Sequence, residues 1–149
     1  MTLRRCLFVL AAGLLLSPWL TAQTRPAPPA TPQIYIFDNG AIKGLDPKLF
    51  NFTRAEITQP DFINVSYLVV HPKGTLQFDA GGIEDSHFKG GPVTEGVMTA
   101  DKPLLPQIVS TGYRVGDITY FAMSHYHSDH TGNANAFAAS TWIVQKAER

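Results

Sequence analysis

The feature that most constrains this chain is a cluster of metal-ligating side chains directly after an apolar stretch. Residues 118–123 form a nearly continuous apolar run, which predicts a β-strand buried on both faces. The chain then continues Ser-His-Tyr-His-Ser-Asp-His, so three of its five histidines and one aspartate fall within six residues. A strand that delivers such residues at its carboxyl end is typical of a ligand site in a layered α/β fold.

The spacing within the cluster favours metal binding over a chance polar loop. In extended backbone, residues i and i+2 point to the same side, so His125 and His127 can bind one ion together. Asp129 and His130 follow where the chain turns, so their side chains can face a second ion. Imidazole nitrogen and carboxylate oxygen suit zinc at about 2.0–2.2 Å. Iron, manganese and cobalt also accept such ligands, so the pattern alone leaves the metal open.

The cluster resembles the motif of the metallo-β-lactamase superfamily of metal-dependent hydrolases. The resemblance rests on His125–His130 followed by Gly132, and on an upstream segment that ends in Phe78-Asp79-Ala80-Gly81. Residues 112–118, which lead into the strand before the motif, support it. The resemblance implies an α/β fold of the αββα sandwich type, in which two mixed sheets pack between outer helices.

The same resemblance implies a role for each residue of the site. His125 and His127 would bind the first zinc ion, and Asp129 and His130 would bind the second. Asp79 would stand behind them and hold a ligand or the loop in place. Asp129 would also hydrogen-bond the nucleophile, which makes it the predicted catalytic residue.

The superfamily draws further ligands from later in its chain, whereas no histidine or aspartate follows His130 here. We therefore expect this chain to be the N-terminal half of the fold, with the remaining ligands beyond Arg149. His71 and His87 are the candidates that could replace them. His71 lies in a Pro-Lys-Gly turn and is predicted to be solvated, and His87 lies in a long loop that would border the pocket.

His130 also separates branches of the superfamily. The β-lactamases that use a cysteine at the second zinc have no histidine at this place, whereas glyoxalase-II-like and lactonase-like branches do. The runs 35–40 and 67–76 look most like the N-acyl-homoserine-lactonase branch. The resemblance therefore implies a zinc-bound hydroxide that attacks the carbonyl of a lactone or related ester. A metallo-β-lactamase acting on β-lactam amides and an inactive truncated fragment are the alternatives.

The beginning of the chain predicts export. Arg4 and Arg5 precede the apolar run 6–16, and small residues follow near Ala22, which indicates a secretory signal peptide over residues 1–22. The run is shorter than the roughly 20 residues that a membrane-spanning helix needs, so no stable span is expected after cleavage. We expect the protein in the bacterial periplasm or outside the cell.

Composition limits the partners and the domain organisation. Twelve basic residues balance twelve acidic ones, which argues against nucleic-acid binding. The family resemblance implies a small-molecule substrate as the partner. Residues 23–32 contain four prolines and predict a linker without helix or strand. Residues 33–149 would form the N-terminal part of the enzyme domain, whose oligomeric state the sequence leaves open.

Local patterns predict the remaining elements. Asn39-Gly40 predicts a hairpin turn that ends a strand begun at Ile34. Asn64-Val65-Ser66 fits the glycosylation pattern, although such short matches occur by chance. The other predicted elements are strands over 62–70 and 75–79 that form a hairpin, a long surface loop over 83–102, helices over 104–111 and 133–139, and a strand over 141–144.

Overall fold

The computed structural model describes residues 25–148. The predicted signal peptide over residues 1–22 therefore lies outside the described residues. The described strands and α-helices are β1 (Gln33–Ile42), β2 (Phe62–His71), β3 (Gly74–Phe78), β4 (Val93–Glu95), β5 (Met98–Ala100), α1 (Leu104–Ser110), β6 (Tyr120–Ala122), α2 (Ser128–Thr131) and β7 (Thr141–Ile143). Short 3-10 turns lie at Pro47–Phe50, Asp85–His87, Val115–Asp117, Ala134–Phe137 and Lys146–Glu148.

The described strands form one mixed sheet in the order β4-β5-β1-β2-β3-β6-β7. The predicted hairpin is confirmed, because β2 pairs antiparallel with β3 and His71 lies opposite Gly74. In contrast, β6 runs parallel to β3, and β7 runs parallel to β6. The parallel pairing brings the carboxyl ends of β3 and β6 to the same edge of the sheet, which is where the predicted site residues begin.

The hydrophobic core lies on one face of this sheet. The rings of Phe121 and Phe137 stack there with centroids 5.0 Å apart, which joins β6 to the 3-10 turn after α2. Leu68 of β2 and Ile108 of α1 are fully buried in the same core. Burial of this one face against the helical segments is the main source of stability for the described part of the chain.

The opposite face of the sheet is apolar and exposed among the described residues. Ile34 and Ile36 point to this face from β1, and their exposed fractions are 64% and 67%. They lie opposite Val69 and Tyr67 of β2, which share the face because side chains alternate along a strand. The described residues thus comprise a mixed sheet with helices on one face, as predicted for the N-terminal half of an αββα sandwich.

The predicted hairpin turn at Asn39-Gly40 is wrong. Strand β1 continues through these residues to Ile42, with a break in its register between Asp38 and Ala41 that marks a bulge. Gly40 adopts φ +92°, and a Cβ atom there would lie 1.9 Å from the Thr99 carbonyl oxygen of β5. The Asn-Gly pair therefore permits a close approach of two strands instead of reversing the chain.

The predicted loop over 83–102 is also partly wrong, because it contains the hairpin of β4 and β5. The hairpin adds to the edge of β1, where Ile42 pairs with Met98. The predicted helix over 104–111 is confirmed as α1. Its first amide groups, those of Leu104 and Leu105, both donate to the Asp85 carboxylate at 2.7 Å, so this loop residue caps the helix.

Three further predictions need smaller corrections. The strand predicted over 118–123 is limited to Tyr120–Ala122, and Tyr120 is 39% exposed because it lies on the open face of the sheet. The helix predicted over 133–139 is a single 3-10 turn at Ala134–Phe137. The strand predicted over 141–144 is confirmed as β7, one residue shorter.

The described part of the proline-rich segment contains no helix or strand before Gln33. Arg25 nevertheless contacts the folded domain, since its guanidinium lies 3.4 Å from the hydroxyl groups of Thr75 and Thr119. The longest α-helix in residues 25–148 is α1, with seven residues, and no helix in this range has the length and apolar character to cross a bilayer.

Candidate metal centre

The predicted ligands lie at the sheet edge where β3 and β6 end. His125 and His127 occupy the segment between β6 and α2, and Asp129 and His130 lie within α2. One possible ligand atom from each of His125, Asp129 and His130 lies within 4.8 Å of the others. The ring of His127 is exposed and lies outside this group of three, although its centroid is 4.5 Å from that of His125.

Asp79 lies behind the cluster and organises it through three hydrogen bonds. The residue is buried, directly follows β3 and has φ +60°, a backbone conformation that Asp and Asn tolerate better than most residues. One carboxylate oxygen accepts the backbone N–H of Ser124 at 2.7 Å. The other accepts the Ser124 hydroxyl at 3.0 Å and the Nδ1–H of His130 at 2.9 Å. Asp79 thereby links the end of β3 to both the segment after β6 and α2.

The Ser124 hydroxyl extends this network to a second histidine. Since the hydroxyl donates its hydrogen to Asp79, its oxygen is free to accept the Nδ1–H of His125 at 3.1 Å. His125 and His130 therefore both have Nδ1 engaged, which assigns Nε2 of each ring as the atom available to a ligand. The Nε2 of His130 lies 3.0 Å from a carboxylate oxygen of Asp129.

These residues fit a zinc ion by the chemistry of their donors. His125, Asp129 and His130 offer two imidazole nitrogens and one carboxylate oxygen, and catalytic zinc sites commonly use three protein ligands of this kind. Both rings are held by a hydrogen bond at Nδ1, which favours the tautomer that a ligand through Nε2 needs. The side chains of Asp129 and His130 are 22% and 23% exposed, so they are accessible to an ion and to a small substrate.

Backbone contacts hold α2 against the loop that follows β3. The Ala80 N–H donates to the His130 carbonyl at 2.8 Å, and the Gly132 N–H donates to the Gly81 carbonyl at 2.7 Å. A Cβ atom at Gly132 would lie 2.8 Å from the carbonyl carbon of Gly82, so a larger residue would push the two segments apart. This close approach explains why a glycine follows the histidine motif.

A groove of about 310 Å³ opens beside the cluster. One side is formed by the polar site residues, and the other side is an apolar wall contributed by β1 and β2. The polar side consists of Asn64, Asp79, Ser124, Asp129 and His130, and the wall includes Ile42, Phe62, Ile63, Val65 and Tyr67. The arrangement can place an apolar portion of a ligand next to the proposed metal ligands.

The other two histidines lie away from this groove. His71 is exposed at the turn between β2 and β3, at the opposite edge of the sheet, where its Nδ1 accepts the Lys73 N–H at 3.1 Å. His87 lies in a 3-10 turn, and its ring contacts the Glu95 carboxylate. Neither side chain lines the groove that contains Asp129 and His130.

Sequence inspection alone gave no structural role to three polar residues around the cluster. Ser124 contacts Asp79 and both histidine rings, and its position just before the motif is the signal that could have revealed it. Asn133 is buried, and its side-chain amide donates hydrogen bonds to the carbonyl groups of Ala80 and Ile83 in the loop after β3. Asn64 is only 6% exposed and donates to the Asp129 carbonyl at 2.7 Å, which makes it inaccessible as a glycosylation site in the folded chain.

Together, these features define an α/β protein with a mixed sheet and an Asp-supported histidine cluster, a candidate metal centre, at the ends of parallel strands. The sequence profile of the Metallo-beta-lactamase superfamily matches residues 59–149. The chain therefore belongs to this superfamily, which confirms the family and the fold predicted from the sequence.

Individual relatives share the fold and part of the sequence. The chain is 30% identical over 127 residues to N-acyl homoserine lactonase AttM from Azorhizobium caulinodans, covering 78% of this chain and 46% of that relative. A quorum-quenching N-acyl homoserine lactone hydrolase of known crystal structure is 25% identical, with a TM-score of 0.56 over 77% of this chain and 46% of that one. The fold is also similar to that of AidC, a dizinc quorum-quenching lactonase, with 20% identity and a TM-score of 0.50 over 78% of this chain and 42% of AidC. The chain thus spans about half the length of these relatives.

Proposed function

We propose that the full-length protein is a zinc-dependent hydrolase that opens lactones or related esters, in the manner of an N-acyl homoserine lactonase. The observation that carries this proposal is the cluster of His125, Asp129 and His130, whose ligand atoms lie within 4.8 Å of one another. The similarity to AttM supports a lactone as the substrate class.

A complete site would hold two metal ions, and the second ion would need ligands besides the three residues that cluster here. When bound, zinc would lower the pKa of a coordinated water to about 7, so that hydroxide becomes available near neutral pH. His125 and His130 would hold metal through Nε2, and His127 would complete the histidine set. AidC, a dizinc lactonase of similar fold, supports the proposed number of ions.

Residues of this chain would orient the reactants around that nucleophile. The Asp129 carboxylate lies at the edge of the groove, where it can accept a hydrogen bond from the attacking water and direct its lone pair toward the carbonyl carbon. The apolar wall of the groove would bind the non-polar part of the substrate and exclude bulk water. Addition of water to the carbonyl and cleavage of the ring C–O bond would yield the hydroxy acid, with the departing oxygen taking up a proton.

The direct test is hydrolysis by the purified full-length protein. We expect ring opening of an N-acyl homoserine lactone, measured by chromatography of the hydroxy acid, and loss of this activity after treatment with a chelator. Carbapenem hydrolysis without lactone opening would instead favour a β-lactamase. Absence of both activities in a protein that retains its metal would support an inactive relative.

We also propose that the protein is exported to the periplasm or the extracellular space. The basic start and the short apolar run of residues 4–16 support this location. Cell fractionation and N-terminal sequencing of the mature protein test it, and we expect a new N-terminus near Gln23. Recovery of the uncleaved chain in the cytoplasm would contradict export.

A further inference from the structure

Helix α2, which carries Asp129 and His130, is too short to supply hydrogen-bond donors for all of its own carbonyl groups. Helix α2 contains four residues, Ser128–Thr131, and a helix of this length leaves its last carbonyl groups without intrahelical partners. The carbonyl of Asp129 would ordinarily accept the N–H of Gly132 or of Asn133. Those two groups instead donate to Gly81 and Ala80, at 2.7 and 3.1 Å.

Asn64 supplies the missing donor from a distant part of the sequence. Its side-chain amide lies on β2, 65 residues away along the chain, and donates to the Asp129 carbonyl at 2.7 Å. Asn64 is only 6% exposed, and a buried amide fixed by a short hydrogen bond has little freedom to move. The bond therefore connects a central strand of the sheet to the backbone of a predicted metal ligand.

The surroundings of this bond leave little space for adjustment. A Cβ atom at Gly82 would lie 3.0 Å from the Asp129 Cα and 3.3 Å from the Asn64 amide nitrogen. The loop after β3 thus packs against the same point of α2 that Asn64 holds. The Asn64 bond thus acts directly on the backbone of Asp129, whose carboxylate oxygen lies 3.0 Å from Nε2 of His130.

We propose that Asn64 is a positioning residue for the metal centre, an inference that rests on the proposed function. By fixing the Asp129 carbonyl it sets the direction in which Asp129 and His130 present their ligand atoms. Its role differs from that of Asp79, which contacts a ligand side chain, because Asn64 acts on the backbone of the turn. Loss of the amide would leave α2 folded against the loop after β3 but would alter the geometry of the ligands.

The test compares Asn64→Ala and the near-isosteric Asn64→Asp with Thr75→Val in the full-length protein. Thr75 is buried at the opposite edge of the sheet, where its hydroxyl donates to the Asp117 carbonyl, so its replacement also removes a buried hydrogen bond. Zinc affinity is measured by competition with a chromophoric chelator, and ligand geometry by the visible absorption spectrum of the cobalt form. Thermal unfolding of the metal-free proteins measures how much each substitution lowers the stability of the fold itself.

We expect the Asn64 variants to bind zinc about 10- to 100-fold more weakly and to show an altered cobalt spectrum. A loss of this size is typical when a residue that supports a metal ligand is replaced. Thr75→Val should lower the unfolding temperature but keep the affinity within about two-fold and the spectrum unchanged, because it lies away from the ligands. If Asn64→Ala fails to fold, Asn64→Asp provides the same comparison.

The outcomes separate this inference from the proposed function. A wild-type protein that binds no zinc would overturn the metal centre, and the role of Asn64 with it. A wild-type protein that binds zinc, together with Asn64 variants of equal affinity and identical cobalt spectrum, would overturn only the role of Asn64. An equal loss of affinity in Thr75→Val would also overturn it, because the effect would then follow from general destabilisation.

Discussion

The two edges of the sheet contain similar hydrogen-bond networks with different consequences. At the edge where β3 begins, the Thr75 hydroxyl donates to the Asp117 carbonyl at 2.7 Å and accepts the Thr119 N–H at 2.9 Å. At the edge where β3 ends, Asp79 accepts the backbone N–H and the hydroxyl of Ser124. Both networks connect β3 to the chain around β6, so both contribute to the parallel pairing of these strands.

The Asp79 network differs from the Thr75 network because it also includes two histidine rings. The Thr75 network joins hydroxyl groups to the backbone and ends there, apart from the contact with Arg25. Asp79 has an acceptor left for His130, and Ser124 has one left for His125. A carboxylate at this position therefore stabilises the strand connection and also orients two imidazole rings. The comparison indicates that stability and ligand orientation can be separated by mutation at the two edges.

The largest effect is expected from Asp129→Ala, which removes a predicted ligand and the group that orients the nucleophile. Lactone hydrolysis should fall by more than about 100-fold, since even residues behind a metal ligand cost 10- to 100-fold. The free energy of unfolding should change by less than about 1 kcal/mol, because the carboxylate is partly exposed. Steady-state kinetics and urea denaturation measure the two quantities. Ser128→Ala in the same turn is the control, and an unchanged rate in Asp129→Ala would contradict the role of Asp129.

The next effect is expected from Asp79→Asn, which keeps the size of the side chain and tolerates φ +60°. The amide can no longer accept hydrogen bonds on both sides from Ser124 and His130, so the rings lose their fixed orientation. We expect zinc affinity to fall about 10- to 100-fold, measured by chelator competition. Equal affinity in the two proteins would show that the Asp79 network is structural, like that of Thr75.

A smaller effect, and one on stability alone, is expected from Thr75→Val. The change keeps the shape of the side chain but leaves the Asp117 carbonyl and the Thr119 N–H without their partner. We expect a loss of about 1–3 kcal/mol in the free energy of unfolding. At a temperature where the variant is folded, its kcat and KM should equal those of the wild type. A large loss of kcat with little loss of stability would break the proposed division between the two edges.

The smallest effect concerns Asp61, which precedes β2 at the edge that contains the site. The backbone N–H of Gly44, followed by the Lys43 side chain, holds the pKa of Asp61 below its usual value of 3.8. A lowered pKa in the folded state stabilises the fold above the usual value, and this contribution disappears as pH falls through the folded pKa. The stability difference between wild type and Asp61→Asn should therefore be present at neutral pH and vanish in acid. Denaturation curves across this range measure it, and a difference that grows in acid would contradict the assignment.

Local signals predicted the elements that depend on local chemistry. Local patterns predicted the β2–β3 hairpin and helix α1, and the motif itself indicated the site. The Asn39-Gly40 pair led to a wrong prediction because the φ of +92° at Gly40 permits a close approach to Thr99 of β5, a contact between distant residues. A turn sequence alone contains no information about which strand lies beside it.

The supporting residues of the site were harder to predict for the same physical reason. Asn64 acts on Asp129 from 65 residues away, and Asp79 acts on His130 from 51 residues away. Asp79 was predicted only because its sequence context resembles that of a known superfamily. No comparable pattern marks Asn64, whose contact depends on the register of the sheet and on the short length of α2. Candidate ligands can thus be predicted from sequence spacing, whereas the residues that orient them depend on tertiary packing.

The most direct measurement is anomalous diffraction at the zinc edge from crystals of the full-length protein grown with zinc. We expect density for bound ions at about 2.0–2.2 Å from the Nε2 atoms of His125 and His130 and from a carboxylate oxygen of Asp129. We also expect Asp79 and Ser124 to keep their contacts with the Nδ1 atoms. Histidine rings turned toward bulk solvent, with no anomalous peak beside them, would contradict the proposed metal centre.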